Sequence, residues 1–345
     1  AVRSAAEHPA AVRSAAGRTD TDGHDAKPGK PIVSTFLAVE GVPDELAVPD
    51  AGSGTPGRGS IPSYPSPERA VLALARAHRY ARWRATPQGA LVRPDGIDSS
   101  AARDLVSTLC TPPHGEPTRV SDADTVRLLD HYGIPIVPFD RADDVDAAVA
   151  AADRLGYPVA VKAADDRRAG TGDLSMVRLD LADADAVRRA YPAVVDASGG
   201  DAVIVQRMAA PGVSCVVGLV DDPSFGSLVY FGLAGVISDL VGDRAYRAVP
   251  LTDVDARWLV RAPKAAPLLS GYRGAEPADL DALAQLLLRV SALADDLPQV
   301  RSLELDPVLA GPHTVAVTNA RMRLGPPLPP TDTLPRRLFS FEDLR

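Results

Sequence analysis

Two stretches of the chain carry residues that could do chemistry together. The first is Leu155-Gly-Tyr-Pro-Val-Ala-Val-Lys-Ala163, an apolar run closed by Lys162. Only four lysines (Lys27, Lys30, Lys162 and Lys264) occur among 37 basic residues, which sets this one apart from ordinary surface charge. Val159 and Val161 alternate with Ala160 and Lys162, so the pattern predicts a strand with the valines on one face and the ammonium on the other. Lysine is a compact point charge suited to phosphate. A strand-end lysine turned out to solvent is the competing reading.

The second stretch is Ser302-Leu-Glu-Leu-Asp-Pro-Val-Leu309 followed by Thr314-Val-Ala-Val-Thr-Asn-Ala320, with Ala310-Gly-Pro-His313 between them. Pattern and turn residues predict a β-hairpin. Pairing Leu309 with Thr314 sets Glu304 opposite Asn319 and Asp306 opposite Val317, which puts Glu304, Asp306 and Asn319 on one face. Three oxygen-bearing side chains together suit a hard cation such as Mg2+. A solvated polar face on an edge hairpin is the alternative.

Positioning these residues requires a sheet with helices packed on it. Asp143 to Leu155 reads as a helix with Val145, Ala148, Val149 and Ala152 on one side; Gly156 stops it and Pro158 opens the lysine strand. Before it, Ser121 caps a helix that ends at Gly133, and Ile134 to Val137 reads as a strand. After Lys162 come a polar loop, a strand over Val177–Leu181, a helix over 183–195 and the apolar strand Ala202–Gln206. Val213–Val220, Ser227–Phe231 and the glycine-bearing Gly232–Gly235 continue the sheet, and helices follow near 252–261 and 279–296. The last holds Leu280, Leu283, Leu287, Val290 and Ala294 at helical spacing.

Upstream, residues 17–30 read as a loop and Pro31–Leu37 as a buried strand. A flexible excursion over 41–60 and an extended piece, Ile61–Tyr64, come next. Ser66-Pro67-Glu68 then supplies a cap, a first-turn proline and an acid for a helix to about Trp83, with Val71, Leu74, Ala75, His78 and Ala81 on one face. This looks like the trailing half of an α/β domain. Residues 85–120 read as a linker with a short helix near 99–109, and the tail from Gly325 is rich in proline.

At 345 residues and 46% hydrophobic content the chain can hold two domains with a sizeable core. No run approaches the ~18 uninterrupted apolar residues of a membrane span. A net charge of −8 and a pI near 5.3 argue against a general nucleic-acid binder. Cys110 and Cys215 have neither C-x-x-C spacing nor partner histidines, so no disulfide framework or zinc site is indicated, and a reducing cytoplasm fits best. Cys215 reads as a small core residue, and His78 and His131 as structural side chains. The chain begins at Ala1, and its opening Ala-Val-Arg-Ser-Ala-Ala recurs at 11–16; a fragment of a longer polypeptide is expected.

Taken together these residues resemble the ATP-grasp domain of the NDP-forming acyl-CoA synthetases, in particular the branch fused to GNAT-type lysine acetyltransferases. The likeness covers about 121–325. It rests on Lys162 in its strand; on Asp222-Pro-Ser-Phe-Gly226, similar to D-P-x-F-G; and on Arg247 in Arg-Ala-Val-Pro-Leu251. It rests also on Leu268-Leu-Ser-Gly-Tyr-Arg-Gly274, similar to L-L-x-G-Y-R-G, and on Leu303-Glu-Leu-Asp-Pro-Val308, similar to the D-L-N-P-V strand. Lys30–Phe36 and Ile61–Pro67 resemble the end of the flavodoxin-like CoA-ligase subdomain that precedes this domain in the family.

The resemblance implies an α/β (α+β) ATP-grasp fold of two lobes over 121–325, preceded by a partial flavodoxin-like subdomain over 1–84 and followed by a tail over 326–345. It implies ATP or ADP with Mg2+ as cofactors, and CoA or acyl-CoA through upstream subdomains. Lys162 and Arg247 would contact the nucleotide, Gln206, Arg207 and Met208 would line the adenine slot, and Asp306, Asn319 and Glu304 would hold the metal. A linked acetyltransferase domain is an implied partner, and a homo-oligomer is a further candidate arrangement.

Departures accompany the matches. Gly170 stands where the family places its loop histidine, the phosphoryl carrier, and Ser175-Met176 replaces the usual Gly-Gly. Ser214 replaces an acid, Ser238-Asp239 replaces Val-Glu, and the Asn-then-Asp metal pair is exchanged as Asp306 then Asn319. These changes favour a nucleotide-binding regulatory domain with no catalytic residue of its own. An active ADP-forming ligase completed by upstream subdomains, and a structural module with a dead pocket, are the alternatives.

Overall fold

The computed structural model describes residues 30–36, 39–50, 55–57, 59–109, 116–164, 176–222, 225–235 and 240–327. They fall into two compact units that meet in sequence between Pro87 and Gln88. In the first, β1 (Ser34–Thr35) pairs in parallel with β2 (Ser63–Tyr64). The helix Pro67–Ala85 follows, with the Ser66 side chain accepting from the Arg69 N–H at 3.4 Å. The expected buried strand over Pro31–Leu37 is only two residues long, and Ile32 and Phe36 are exposed. Among the described residues β2 is the one strand paired with β1, so no further strand of this sheet flanks these side chains. The helix likewise buries only Ala70, leaving Val71 exposed on the face read as apolar.

The second unit contains, in order, the helix Ser99–Leu109, β3 (Thr118–Arg119), the helix Asp122–Asp130, β4 (Phe139–Ala142), the helix Val145–Leu155, β5 (Val159–Ala163) and β6 (Val177–Leu181). The helix Ala184–Ser198, β7 (Val203–Arg207), β8 (Val213–Asp222), β9 (Gly226–Leu233) and β10 (Arg244–Ala248) come next. The helices Asp253–Arg261 and Leu280–Asp296 precede β11 (Val300–Ala310), β12 (Val315–Val317) and β13 (Ala320–Leu324).

A smaller lobe is built on an antiparallel sheet in the order β4-β7-β5-β6. Val159, Val161, Val203 and Val205 turn one face toward Ala148, Ala152, Val187 and Val194 of its two helices, and all eight are essentially inaccessible. Those helices begin where their sequences say they should: Asp144 accepts from the Ala147 N–H at 2.7 Å and Asp183 from the Ala186 N–H at 2.8 Å, caps worth about 1 kcal/mol each. Strand alternation then leaves Ala160, Lys162, Ile204 and Gln206 for the opposite face.

The larger lobe is a seven-stranded sheet ordered β10-β9-β8-β11-β13-β3, with β12 also paired to β11. Cys215, Val217 and Leu219 of β8, Val229 and Phe231 of β9, and Leu303 and Leu305 of β11 meet Leu283, Leu287 and Val290 of the long helix in one core. Truncating such a leucine costs about 2–5 kcal/mol. The segment expected as a linker contributes Ala102, Leu105 and Val106 to this core, because the helix Ser99–Leu109 has an apolar side that needs cover.

Two local expectations are corrected. Ile134–Val137 does not form a strand of the small sheet. It crosses between the lobes, with Ile136 bridging Val317 in parallel and the Val137 N–H donating to the Val317 carbonyl at 2.8 Å. The terminal hairpin pairs Leu309 with Ala316, not Thr314, and splits into β12 and β13. Glu304 is consequently opposite Arg321, and the Asp306 N–H donates to the Asn319 carbonyl at 3.2 Å. The slip is two residues, so each side chain keeps its face while its partner changes. Gly325 and Pro326, placed in the proline-rich tail, are fastened through the Gly325 N–H to the Gln299 carbonyl and the Pro326 carbonyl to Arg301.

Candidate functional site

Between the lobes lies a cavity of about 530 Å3. The small lobe offers it Ala160 and Lys162 from β5 and Ile204 and Gln206 from β7, the face that alternation left uncovered by helices. Arg207 and Met208 line it at the end of β7, and Asp306, Asn319 and Arg321 line it from the large lobe. Ile136, Phe139, Ile204, Met208 and Leu309 give it an apolar wall. Lys162, Gln206, Arg207, Met208, Asp306 and Asn319 therefore share one cavity although the sequence spreads them over more than a hundred residues.

Lys162 is not turned out to solvent. Its half-buried ammonium donates to Gln206 Oε1 at 3.0 Å and to the Thr318 carbonyl at 3.2 Å. The Gln206 amide, 4% exposed, donates in turn to the carbonyls of Val137 at 2.8 Å and Thr318 at 3.0 Å. One buried amide thus fixes the lysine and joins the small sheet to the loop between β12 and β13. Each of these bonds satisfies a group that would cost about 1–3 kcal/mol if buried unpaired.

The cavity wall carries four cationic side chains (Arg119, Lys162, Arg207 and Arg321) and two carboxylates (Asp122 and Asp306). An excess of positive charge here, in a chain of net charge −8, marks a place for an anion. Arg119 and Asp122 pair at 3.3 Å with both side chains two-fifths exposed, so this pair contributes little to stability. For Mg2+ the donor chemistry fits: an amide oxygen from Asn319 and a carboxylate from Asp306 are hard ligands, and the Asn319 side chain gives its N–H to the Asp306 carbonyl at 3.1 Å. Among the described residues no group of three His, Cys, Asp or Glu could hold a metal alone. Mg2+ commonly takes one or two protein ligands and completes its octahedron with phosphate oxygens and water.

Two residues singled out from the sequence stand apart from this cavity. The Arg247 guanidinium lies 3.4 Å from the centroid of the Trp258 ring and donates to Asp255 at 3.2 Å. Glu304 accepts from the Tyr230 hydroxyl at 3.0 Å and faces Arg321. Cys215 is fully buried, and burial pushes its thiol up to about 12, in keeping with a core residue. Pro223, Ser224, Gly170, Ser175, Ser238, Asp239 and Cys110, with the tail beyond Pro327, lie outside the described residues. Arg321 was missed by sequence reasoning although it follows Asn319 by two and shares its face. The Thr318 carbonyl is a backbone group and left no residue-type signal.

A family model described as an ATP-grasp domain matches residues 114–324. The chain belongs to the ATP-grasp family. Its relatives include acetate-CoA ligase (ADP-forming) I of Archaeoglobus fulgidus, 33% identical over 303 residues, which covers 86% of this chain and 43% of that protein. The beta subunit of acetate-CoA ligase (ADP-forming) I of Pyrococcus furiosus is 32% identical over 204 residues, covering 57% of this chain and 88% of the subunit. Among solved structures, the dinucleotide-forming acetyl-coenzyme A synthetase 1 of Ca. Korarchaeum cryptofilum, in complex with coenzyme A, Ca-AMPCP and HgCl+, superposes with a TM-score of 0.58. The identity is 30% over 65% of this chain and 99% of that one. The same protein with coenzyme A and Mg-AMPPCP gives a TM-score of 0.55. The ATP-grasp domain of this chain is thus of the ADP-forming acetyl-CoA synthetase type. It spans less than half the length of the Archaeoglobus ligase. No described helix is long and apolar enough to cross a membrane.

Proposed function

We propose that the interlobe cavity binds ATP or ADP together with Mg2+. The observation that carries this reading is the convergence of the Lys162 ammonium with Asp306 and Asn319 in one cavity whose other wall is apolar. Phosphates need the cation and the metal, and a purine needs the apolar wall. Lys162 would hold phosphate oxygens, Asp306 and Asn319 the metal, and Ile204 and Met208 the base. The Mg-AMPPCP complex of the Korarchaeum synthetase supports the same ligand class for a chain of the same fold. Titrating the purified chain with ATP and with ADP, each with and without Mg2+, by calorimetry tests it. Saturable binding that strengthens with Mg2+ is the expected result, and no heat with either nucleotide removes the reading in favour of a structural module.

The nucleotide site is proposed to serve a regulatory role in a protein that also carries an acetyltransferase, because Gly170 takes the position of the family's phosphoryl-carrying histidine. A second reading has its own support: the likeness to the Archaeoglobus ligase runs over 303 residues, well beyond the ATP-grasp match. On that reading the chain belongs to a working ligase that converts acyl-CoA, ADP and phosphate to carboxylate, CoA and ATP, with upstream subdomains supplying the CoA chemistry. Incubation with γ-labelled ATP and Mg2+ separates the two. Stoichiometric acid-labile label between residues 162 and 179 would establish the ligase; unlabelled protein that still binds ATP supports regulation.

A further inference from the structure

The long helix Leu280–Asp296 ends on a carboxylate whose side chain is only 8% exposed. Arg93 grips it with both arms, Nη2 donating to Oδ2 at 2.6 Å and Nη1 to Oδ1 at 3.3 Å. Arg103 donates to Oδ1 at 3.2 Å, and the Tyr132 hydroxyl to Oδ2 at 3.1 Å. A carboxylate at the negative end of a helix dipole is stabilised by such cations. Burial, followed by the charge of Asp296, raises the pKa of the Tyr132 hydroxyl, so it stays a donor. One side chain thus ties together residues 89–93, the helix Ser99–Leu109 and the root of the crossing between the lobes.

The ends of this tie differ in how firmly they are held. Residues 89–93 form a strap on the large lobe, just after the junction with the first unit. The Ala90 N–H donates to Asp253 Oδ1 at 2.9 Å, the Asp253 N–H donates to the Ala90 carbonyl at 3.0 Å, and Leu91 bridges Thr252. Gly89 permits this approach: its φ is +77°, and a Cβ there would overlap the side chains of Thr252 and Asp253. Residues 88–93 are nevertheless all exposed, so polar bonds hold the strap without apolar burial, the mark of a segment that opens locally. Tyr132, by contrast, is fully buried, and its carbonyl accepts from Arg289 at 2.8 Å. The crossing Ile134–Val137 follows it. There the Val137 N–H donates to the Val317 carbonyl and the Val137 carbonyl accepts from the Gln206 amide, each at 2.8 Å, so this segment holds both lobes.

We infer that the strap is a release device for the lobe hinge: Arg93 on Asp296 keeps the carboxylate turned in to hold Tyr132 and the crossing behind it, and detaching the strap loosens that crossing. Without the two-armed grip of Arg93, a carboxylate so little exposed is under-compensated and turns out to water and to Arg103, whose side chain is 56% exposed. The Tyr132 hydroxyl then loses the acceptor that fixes it, and a buried hydroxyl without a partner does not keep its place. The chain that precedes Gln88 runs straight into the strap, so movement of that polypeptide is the signal that detaches it. The inference concerns the lobes themselves and stands whether or not the cavity takes a nucleotide.

The experiment is backbone hydrogen exchange of the whole chain, without ligand, read by mass spectrometry for the wild type, Arg93→Gln, Tyr132→Phe and the double variant. Peptides over the strap (88–98), the crossing (131–138) and, as a control, the long helix (280–294) are compared. Arg93→Gln should speed exchange in the strap by roughly ten- to a hundred-fold, the loss of a hydrogen bond to a charged group. In the crossing it should speed exchange by roughly two- to thirty-fold, the scale of coupling between linked segments, with the control unchanged. Tyr132→Phe should speed the crossing and leave the strap protected, because Arg93 and Arg103 stay on Asp296. In the double variant the crossing should exchange no faster than in Tyr132→Phe alone. Acceleration confined to the strap, or a crossing that the second substitution speeds further, overturns the inference. Equal acceleration in the control also overturns it, because that marks a general loss of stability. Should Tyr132→Phe not fold, Arg93→Gln decides alone: a crossing that exchanges as slowly as in the wild type rejects the device.

Discussion

Lys162 and the Asp306–Asn319 pair reach one cavity from strands of opposite character. β5 and β7 are five residues each and pair without a break in register, so simple alternation sends the valines to the helices and Lys162 and Gln206 to the cavity. β11 is eleven residues long, and its register with β8 shifts between Leu305 and Val308, around Asp306. On the other edge of β11, between its pairings with β13 and β12, the Asp306 N–H donates to the Asn319 carbonyl and the Asn319 side-chain N–H to the Asp306 carbonyl. A regular strand can display a functional side chain without depending on it. Beside the irregular stretch of β11, Asn319 both lines the cavity and holds the Asp306 carbonyl with its side chain.

The largest test of this contrast is Gln206→Leu, since Gln206 is the small-lobe residue that does not merely sit on display. Losing its buried bonds to Lys162, Val137 and Thr318 should lower the unfolding free energy by about 2–4 kcal/mol in urea titrations. Ile204→Val, on the same strand and face, should cost only about 0.5–1.5 kcal/mol. Equal losses would show that the amide network adds nothing beyond packing. Next, Lys162→Met should weaken ATP binding by about 1.5–3 kcal/mol and, by taking the ammonium from buried Gln206 Oε1, lower stability by about 1–3 kcal/mol, less than Gln206→Leu does. Asp306→Ala should remove most of the increment that Mg2+ adds to ATP affinity, while both bonds to Asn319 remain because they use the Asp306 main chain. A variant with full Mg2+ dependence would take Asp306 out of the metal site.

Smaller effects sharpen the comparison away from the cavity. Asp144→Ala removes the cap of a small-lobe helix and should cost about 1 kcal/mol of stability. In the large lobe, Cys215 should resist alkylation in the folded chain at pH 8 and react on unfolding, as mass mapping of that peptide would show. The raised thiol pKa has a defined sign. Between the ordinary value of 9.0 and about 12 the unfolded chain releases a proton that the folded one keeps, so this contribution to stability falls as pH rises through that window.

Much of this architecture was legible because the small lobe follows local rules. Val159 and Val161 announce their face, Ser121 and Gly156 mark helix ends, and Leu283, Leu287 and Val290 mark a buried stripe. What could not be read was non-local. The pairing of Leu309 with Ala316 depends on how the chain turns after Ala310, and a two-residue slip is invisible to a pattern of period two. That slip hid Arg321 by assigning Asn319 to Glu304. Arg247 was placed with the nucleotide by resemblance, whereas Asp255 and Trp258 hold it in the structure. Pro31–Leu37 is apolar enough for a buried strand, but burial depends on neighbouring layers that one stretch of sequence does not specify.

The Thr318 carbonyl, which accepts from both Lys162 and Gln206, sets how this site can drift under mutation. A main-chain oxygen is supplied by every amino acid, so replacing Thr318 changes a side-chain bond to the Pro307 carbonyl and leaves the interlobe acceptor where it was. The two donors have no such insurance. Sequence drift at the junction should therefore be lopsided, with position 318 free to vary in residue type while positions 162 and 206 stay chemically narrow, and a library randomised at all three would reveal it.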